Sequence, residues 1–344
     1  MNIATFGEIL MRLSAPNRNR IQQSRLLEVS FAGSEANVAV NLAFWGLNTR
    51  FISAVSEDEI GQSAINDLSK YKVDTSFIHK KPDSHTGLYF LEVGSNQRPS
   101  KVLYYRQKSA FSTAKFEPDF LKNSLDNCGW FHWSGITPGL SFEAIDNLKM
   151  ILSQAQEKGL DISCDINYRN KLWKFGISPK DILPDLLYSA KIIMGNEEDA
   201  LVLFNDEEFS KMLKKKELNT ERYQGICERF FDRFPNCEIV CFTIRNSISA
   251  DHNQWQGLMA TRSQFYYSQV YEIHNIVDRV GAGDSFSSGI IYGLMKFKND
   301  YQKTLDFATA ASCLKHSING DYCLCTSSEI IALMEGNLSG RILR

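Results

Sequence analysis

Apolar positions along the chain follow two alternating patterns. Short runs with strand character fall at residues 3–6, 51–55, 130–133, 160–164, 192–194 and 239–244. Between them, stretches of helical character fall at 34–45, 60–71, 142–157 and 223–234. Ser34 is placed to cap the first helix and Gly46 to stop it. Alternation of this kind predicts an α/β fold, with a mostly parallel sheet covered by helices. Near the end, Phe286, Ile290, Ile291, Leu294 and Met295 recur at helical spacing, as do Leu305, Ala308, Ala311 and Leu314. These are two core-facing helices.

One region breaks the rhythm. Residues 86–93 and 100–106 read as strands with no room for a helix between them, so they pair as an antiparallel hairpin. The extended stretch 22–30 is expected to join them. A small antiparallel sheet inserted in an α/β core reads as a lid, and an ordinary edge hairpin is the alternative. The chain, 1–344, is then one domain with lid segments at about 9–30 and 75–107. Residues 204–222, with Lys214-Lys215-Lys216, read as a solvated insertion.

Composition narrows the class. The net charge is −2, with Lys and Arg scattered, so no nucleic-acid footprint is present. No apolar run reaches the roughly 18 residues of a membrane span. The first residues lack the charged and apolar segments of a signal peptide. Eight cysteines without a C-x-x-C pair read as reduced thiols, several of them buried. The expected compartment is the cytoplasm.

The strongest chemical signal is Asp278-Arg279-Val280-Gly281-Ala282-Gly283-Asp284-Ser285-Phe286, which follows an extended stretch at 271–277 and opens a helix. Small residues at 281–283 allow close backbone approach. Free N–H groups at a helix start favour an anion. A carboxylate there repels a phosphate, so Asp284 reads as the acceptor of a hydroxyl proton beside donors that hold a transferring phosphoryl group. The alternative is that Asp284 only caps the helix. No Walker A and no G-x-G-x-x-G sequence is present.

Gly281-Ala282-Gly283-Asp284 resembles the signature of ribokinase-like (PfkB) carbohydrate kinases. Ala32-Gly33-Ser34-Glu35-Ala36-Asn37-Val38-Ala39 resembles that family's sugar-site motif, and Asn196-Glu197-Glu198-Asp199 its metal and phosphate motif. Within the family the likeness is nearest to 2-keto-3-deoxygluconate kinases. It is carried by Thr86-Gly87-Leu88-Tyr89, Tyr104-Tyr105-Arg106, Ser134-Gly135-Ile136-Thr137-Pro138, Asp165-Ile166-Asn167-Tyr168-Arg169 and Ser339-Gly340-Arg341.

The resemblance implies a ribokinase-like, doubly wound fold and a transferase that moves the γ-phosphoryl of ATP, with Mg²⁺, to a primary hydroxyl of a sugar acid. The product expected is the 6-phosphate of 2-keto-3-deoxygluconate. Another sugar such as fructose, or a catalytically silent sugar sensor, stays open. Asp284 is the expected base, with the backbone of Gly281, Ala282 and Gly283 stabilising phosphoryl charge. Gly33, Asn37, Tyr89, Tyr104, Arg106, Arg169 and Asp321 are the expected substrate contacts. Tyr104 and Arg106 share a strand face, and a phenol plus a guanidinium suits a hydroxylated carboxylate. Asn167, Arg169, Asn196, Thr243, Arg245, Gly281 and Gly283 are expected at ATP, and Asp199 at Mg²⁺ through water. Departures from the family pattern include Ala32, which stands for a usual glycine, and Tyr322-Cys323. Arg279 and Val280 stand where the wider family has polar residues, against a monovalent-cation site. Pairing of two chains through the lid is left open.

Overall fold

The alternation resolves into two sheets in the computed structural model, which describes residues 2–204, 220–298 and 300–336. The strands are β1 (Asn2–Phe6), β2 (Leu10–Ser14), β3 (Glu28–Ala32), β4 (Thr49–Ser56), β5 (Ile78–Lys81), β6 (Leu88–Glu92), β7 (Lys101–Tyr105), β8 (Cys128–Ser134), β9 (Asp161–Asp165), β10 (Ile192–Gly195), β11 (Ile239–Ser247), β12 (His252–Thr261), β13 (Phe265–Tyr267) and β14 (Tyr271–His274). The α-helices among the described residues are α1 (Ser34–Phe44), α2 (Glu59–Lys70), α3 (Pro118–Ser124), α4 (Phe142–Glu157), α5 (Pro179–Leu187), α6 (Glu197–Leu203), α7 (Thr220–Arg233), α8 (Ala282–Lys296), α9 (Tyr301–Lys315) and α10 (Ser327–Met334).

The large sheet runs β13-β12-β11-β10-β9-β8-β1-β4-β5, with β14 also paired to β12. From β11 to β5 every pairing is parallel, and β12 to β14 add an antiparallel edge. Alternate strand residues serve two cores, as the side-chain period of two requires. On β10, Ile193 enters the core under α3 to α7, whereas Ile192 and Met194 enter the core under α1, α8 and α9. On β11, Val240 and Phe242 divide from Ile239 and Cys241 in the same way.

Strand order reverses between β1 and β8. Such a switch point opens a crevice at the carboxyl ends of the strands, where ligands of α/β folds bind. Glu35 of α1 spans it. Its Oε1 accepts from the amide and hydroxyl of Ser134 (3.0 and 2.8 Å) and from Thr137 (2.8 Å). Gly7 leaves the room for this: a side chain there would overlap the Glu35 carboxylate.

The small sheet has the order β3-β2-β6-β7. Its strands alternate antiparallel pairs with one parallel pair, β2 with β6, so it is mixed rather than purely antiparallel. The hairpin at 86–106 forms as expected. The stretch 22–30 contributes only its end, in β3, which pairs with β2 and not with the hairpin. Residues 78–81 belong to the large sheet, beside β4, and of the stretch 75–107 it is β6 and β7 that enter the small sheet. Arg12 of β2, Tyr89 of β6 and Tyr104 of β7 are register partners on the inward face.

Gly46 closes α1 with φ 87°, as expected of a left-handed stop. Ser34 is not the cap of α1: Gly33 holds that position, which frees the serine hydroxyl for the site below. The expected insertion at 204–222, with Lys214-Lys215-Lys216, lies almost wholly outside the described residues, as does Ser339-Gly340-Arg341. All eight cysteines are unbridged. Among the described residues, no helix is long and apolar enough to cross a membrane.

Glu35 carries a stability prediction. Burial raises its pKa to about 7, against the hydrogen bonds from Ser134 and Thr137. The folded chain therefore holds this proton more tightly than the unfolded chain, and Glu35 costs stability as pH rises through that value. Glu35→Gln removes the titration. Its Tm is expected to gain on the wild type as pH climbs from 5 to 8; a pH-independent Tm difference would contradict this.

Candidate active site

All sixteen residues expected at the site line one cavity of about 640 Å³, at the carboxyl ends of the parallel strands. The pattern of strands and turns brings them there from sequence positions far apart. How each is held decides what it can do.

Asp284 sits in the first turn of α8 and is buried. Its Oδ1 accepts from the Ser34 hydroxyl at 2.7 Å, and its Oδ2 from Asn37 Nδ2 at 2.6 Å. Asn167 Nδ2 donates to the same Ser34 hydroxyl at 3.0 Å. Burial raises the Asp284 pKa; the Ser34 and Asn37 hydrogen bonds oppose it, Asp321 adds to it and Arg169 opposes it. The result is a carboxylate with its geometry fixed and its basicity increased, suited to accept a proton.

The turn before Asp284 is built from glycine for two separate reasons. Gly281 caps α8 with φ 84°, and a Cβ there would lie 2.0 Å from the carbonyl oxygen of Asp321. Gly283 meets no atom within 4 Å of its would-be Cβ. Its bareness keeps the helix start open to the cavity. The Ala282 amide donates to the Arg279 carbonyl at 3.3 Å, so of the three amides expected to face a phosphoryl group this one already has a partner. Gly33 is required by the chain itself: a Cβ would lie 2.1 Å from the Glu8 carbonyl oxygen.

The inward face of the small sheet forms one wall. Arg106 donates to Glu8 from Nε (2.7 Å) and pairs with it through Nη2 (2.5 Å). Its guanidinium lies 5.8 Å from the Tyr104 ring centroid. The Tyr89 hydroxyl donates to Asp321 Oδ2 at 2.8 Å. Asp321 Oδ1 is taken by Arg12, whose other nitrogen pairs with Asp278. Both Asp321 oxygens thus serve the protein. Burial opposes the Arg12 charge, but Asp321, Tyr89 and Asp278 outweigh it and raise its pKa above the ordinary arginine value.

On the opposite wall, Asp199 accepts from the Tyr168 amide (2.7 Å) and the Asn196 amide (3.0 Å). With Asn196 it forms the reciprocal cap of α6, so the structure gives it a capping role first. Burial raises its pKa to about 6, opposed chiefly by Arg169. Asp165, at the end of β9, is raised well above the carboxylate range by burial, then by the charges of Asp199 and Asp284. Thr243 and Arg245, at the end of β11, reach the cavity with Arg279. Burial and then the Arg245 charge depress the Arg279 pKa.

Sequence reading missed Glu8, Arg12, Ser34's hydroxyl and Asp165 as site groups. Asp165 and Ser34 were legible as members of quoted motifs. Arg12 had one signal: it falls on the inward side of an alternating strand.

The pfkB family carbohydrate kinase profile matches residues 1–228 and 258–322. The chain belongs to this family. Over 98% of its length it superposes on a 2-dehydro-3-deoxygluconokinase structure from Thermotoga maritima, all of which it covers, with TM-score 0.89 and 40% identity. It is 27% identical over 339 residues to the 2-dehydro-3-deoxygalactonokinase of Haloferax volcanii, covering 98% of each chain. It is 25% identical to the 2-dehydro-3-deoxygluconokinase of Bacillus subtilis, over 93% of this chain and 91% of the relative. The ribokinase-like expectation for the fold is met.

The two glycines of the kinase turn separate stability from ligand binding. Gly281→Ala forces a left-handed, overlapping residue and is expected to cost about 2–4 kcal/mol in urea unfolding. Gly283→Ala adds a methyl to an open helix start, so stability is expected to hold or rise by roughly 0.5 kcal/mol while ATP binding weakens. Equal stability losses would contradict the geometry.

Proposed function

We propose that the chain transfers the γ-phosphoryl group of ATP to the primary hydroxyl of 2-keto-3-deoxygluconate, giving the 6-phosphate. The observation that carries this reading is Asp284, held by Ser34 and Asn37 at the open start of α8. The 40% identity to a 2-dehydro-3-deoxygluconokinase across nearly the whole chain supports the substrate.

In this scheme Asp284 takes the hydroxyl proton as the alcohol attacks. The start of α8 at Gly281 and Gly283 stabilises charge on the phosphoryl oxygens. Asn167, Arg169, Asn196, Thr243 and Arg245 receive the nucleotide. Gly33, Asn37, Tyr89, Tyr104, Arg106, Arg169 and Asp321 surround the sugar, Asp321 chiefly by fixing Tyr89. The small sheet acts as a lid that keeps water from the phosphoryl group.

Mg²⁺ fits the donor set. Asp165, Asp199 and Asp284 are buried carboxylates; burial first, and then the charges of the other two, raise the Asp165 pKa, and a hard divalent cation relieves that repulsion. Asp165 would hold it directly and Asp199 through water. Bound there, it would neutralise phosphate charge.

Eight unbridged cysteines suit the reducing cytoplasm. The outer face of the small sheet carries two apolar rows, Val29-Leu13-Phe90-Leu103 and Phe31-Met11-Leu88-Tyr105, none of them fully buried. A second copy of the chain covers this face in our reading.

A neutral ketose such as fructose is favoured by one observation: Glu8 already matches the Arg106 charge. A silent sugar sensor is disfavoured by the intact geometry at Asp284.

ADP release measured with 2-keto-3-deoxygluconate, its galacto epimer and fructose decides among these, and turnover of fructose alone would overturn the sugar-acid reading. Asp284→Asn is expected to lower kcat by about 10²–10⁴. A raised Asp284 pKa places the acid limb of kcat above the usual aspartate range, activity falling as pH drops through it, because the base must be ionised. Arg106→Ala is expected to raise KM for an acidic sugar far more than for fructose. Val29→Lys combined with Tyr105→Lys should give a monomer in sedimentation velocity where the wild type is a dimer; unchanged sedimentation would remove the lid face from assembly.

A further inference from the structure

Lys315 has no part in the scheme above, yet its residue is 0% exposed. It ends α9, behind the kinase turn. An ammonium taken out of water is costly unless it is well partnered. Its Nζ donates to the main-chain carbonyl of Asp278 at 3.2 Å and of Ile318 at 3.1 Å.

Those two carbonyls belong to the two segments that shape the anion-binding end of the cavity. Asp278 begins the turn that runs through Gly281 into α8. Ile318 leads into Asn319-Gly320-Asp321. The segments touch directly, since the space a Cβ at 281 would need is filled by the Asp321 carbonyl. The Gly320 amide also donates to Asp278 Oδ2 at 3.3 Å. Arg12 binds both acidic side chains from the sheet side. The lysine binds the backbone from the helix side, so the turn is clamped between two fixed positive charges. Burial pulls the Lys315 pKa below its ordinary value, while the charges of Asp278 and Asp321 oppose this and favour the ammonium.

We propose that the Lys315 ammonium is a tethered internal cation that sets the geometry of the kinase turn, in place of any free monovalent ion. It is a positioning residue: it touches neither sugar nor nucleotide and acts through the placement of Gly281 to Asp284. The inference rests on the phosphoryl-transfer reading of that turn. Its chemical content is specific. Main-chain carbonyls that hold an ammonium can also hold a potassium or ammonium ion of similar size once the side chain is removed. Lithium is too small to span them, and tetramethylammonium has no N–H to donate.

The test compares wild type, Lys315→Met and Lys315→Ala in potassium, ammonium, lithium and tetramethylammonium chloride at equal ionic strength. ADP release is followed on whichever sugar the wild type phosphorylates. Wild-type kcat is expected to be the same in all four salts. Lys315→Met, which fills the space without charge, is expected to lose roughly 10- to 100-fold in kcat in every salt, as a displaced catalytic turn would, with sugar KM little changed. Lys315→Ala is expected to lose as much in lithium and tetramethylammonium, and to recover about tenfold in potassium or ammonium. The ATP-induced rise in Tm, which needs no sugar, should follow the same order, so the inference is readable even if the sugar assignment fails.

Several-fold activation of the wild type by potassium would overturn the proposal, as would Lys315→Met activity within twofold of wild type. An alanine variant equally inactive in all four salts would overturn it too. Failure of both variants to fold in potassium and lithium alike, read by circular dichroism, would assign Lys315 to core stability and overturn it.

Discussion

Four charges buried at one junction hold this molecule's site together: Arg12 and Lys315 against Asp278 and Asp321. Arg12 comes from the small sheet, Asp278 from the turn into α8, Lys315 from the end of α9, and Asp321 from the segment that follows. None of the four is more than 5% exposed. A set of this kind is poor evidence for added stability, because desolvation consumes much of the Coulomb gain. What it does enforce is position. Removing one member strands the others in a low-dielectric interior, at a cost of about 3–5 kcal/mol for a broken buried pair. The sheet wall and the kinase turn are therefore not free to drift apart independently.

That constraint explains how the cavity can hold opposed charges at close quarters. The cavity carries Asp165, Asp199 and Asp284, each with a pKa raised by burial. Arg169, Arg245 and Arg279 line the same cavity. Acids that resist ionisation, gathered beside several arginines, are an unstable arrangement in isolation. It is sustained because the backbone beneath it is fixed by the parallel sheet and by the Arg12 junction. The geometry exists before any ligand arrives, which is the usual source of electrostatic rate enhancement.

The parts of this site that were legible in the sequence are those whose chemistry is local. The run Gly281-Ala282-Gly283-Asp284 declares a tight turn, an open helix start and a carboxylate within four residues. The hairpin holding Tyr89, Tyr104 and Arg106 was legible because no helix fits in its loop. Long-range pairing was not legible. Arg12 reaches Asp278 across 266 positions, and a single arginine in a five-residue strand gives no hint of such a partner. Asp199 carried two readings at once: a motif suggested a metal role, while its spacing from Asn196 is also that of a reciprocal cap, and the backbone amides of Tyr168 and Asn196 bond its two oxygens. Strands β12 and β13 and the short β5 escaped notice, whereas β14 lies inside the stretch read as extended at 271–277. Ser34 was misassigned by one position, which is within the ordinary slack of helix ends, yet that one position separates a cap from a donor to the base.

The small sheet has two faces of opposite character, Arg12-Tyr89-Tyr104 inward and Leu13-Phe90-Leu103 outward. Because side chains change sides at every residue, an insertion or deletion of one residue inside β2 or β6 would turn apolar side chains toward the cavity and polar ones toward bulk water in the same event. Length variation in descendants of this gene is thereby steered away from these strands and into the connections at 15–27 and 93–100. The cavity wall and the outer apolar face are inherited as a single unit, written on alternate letters of the same short words.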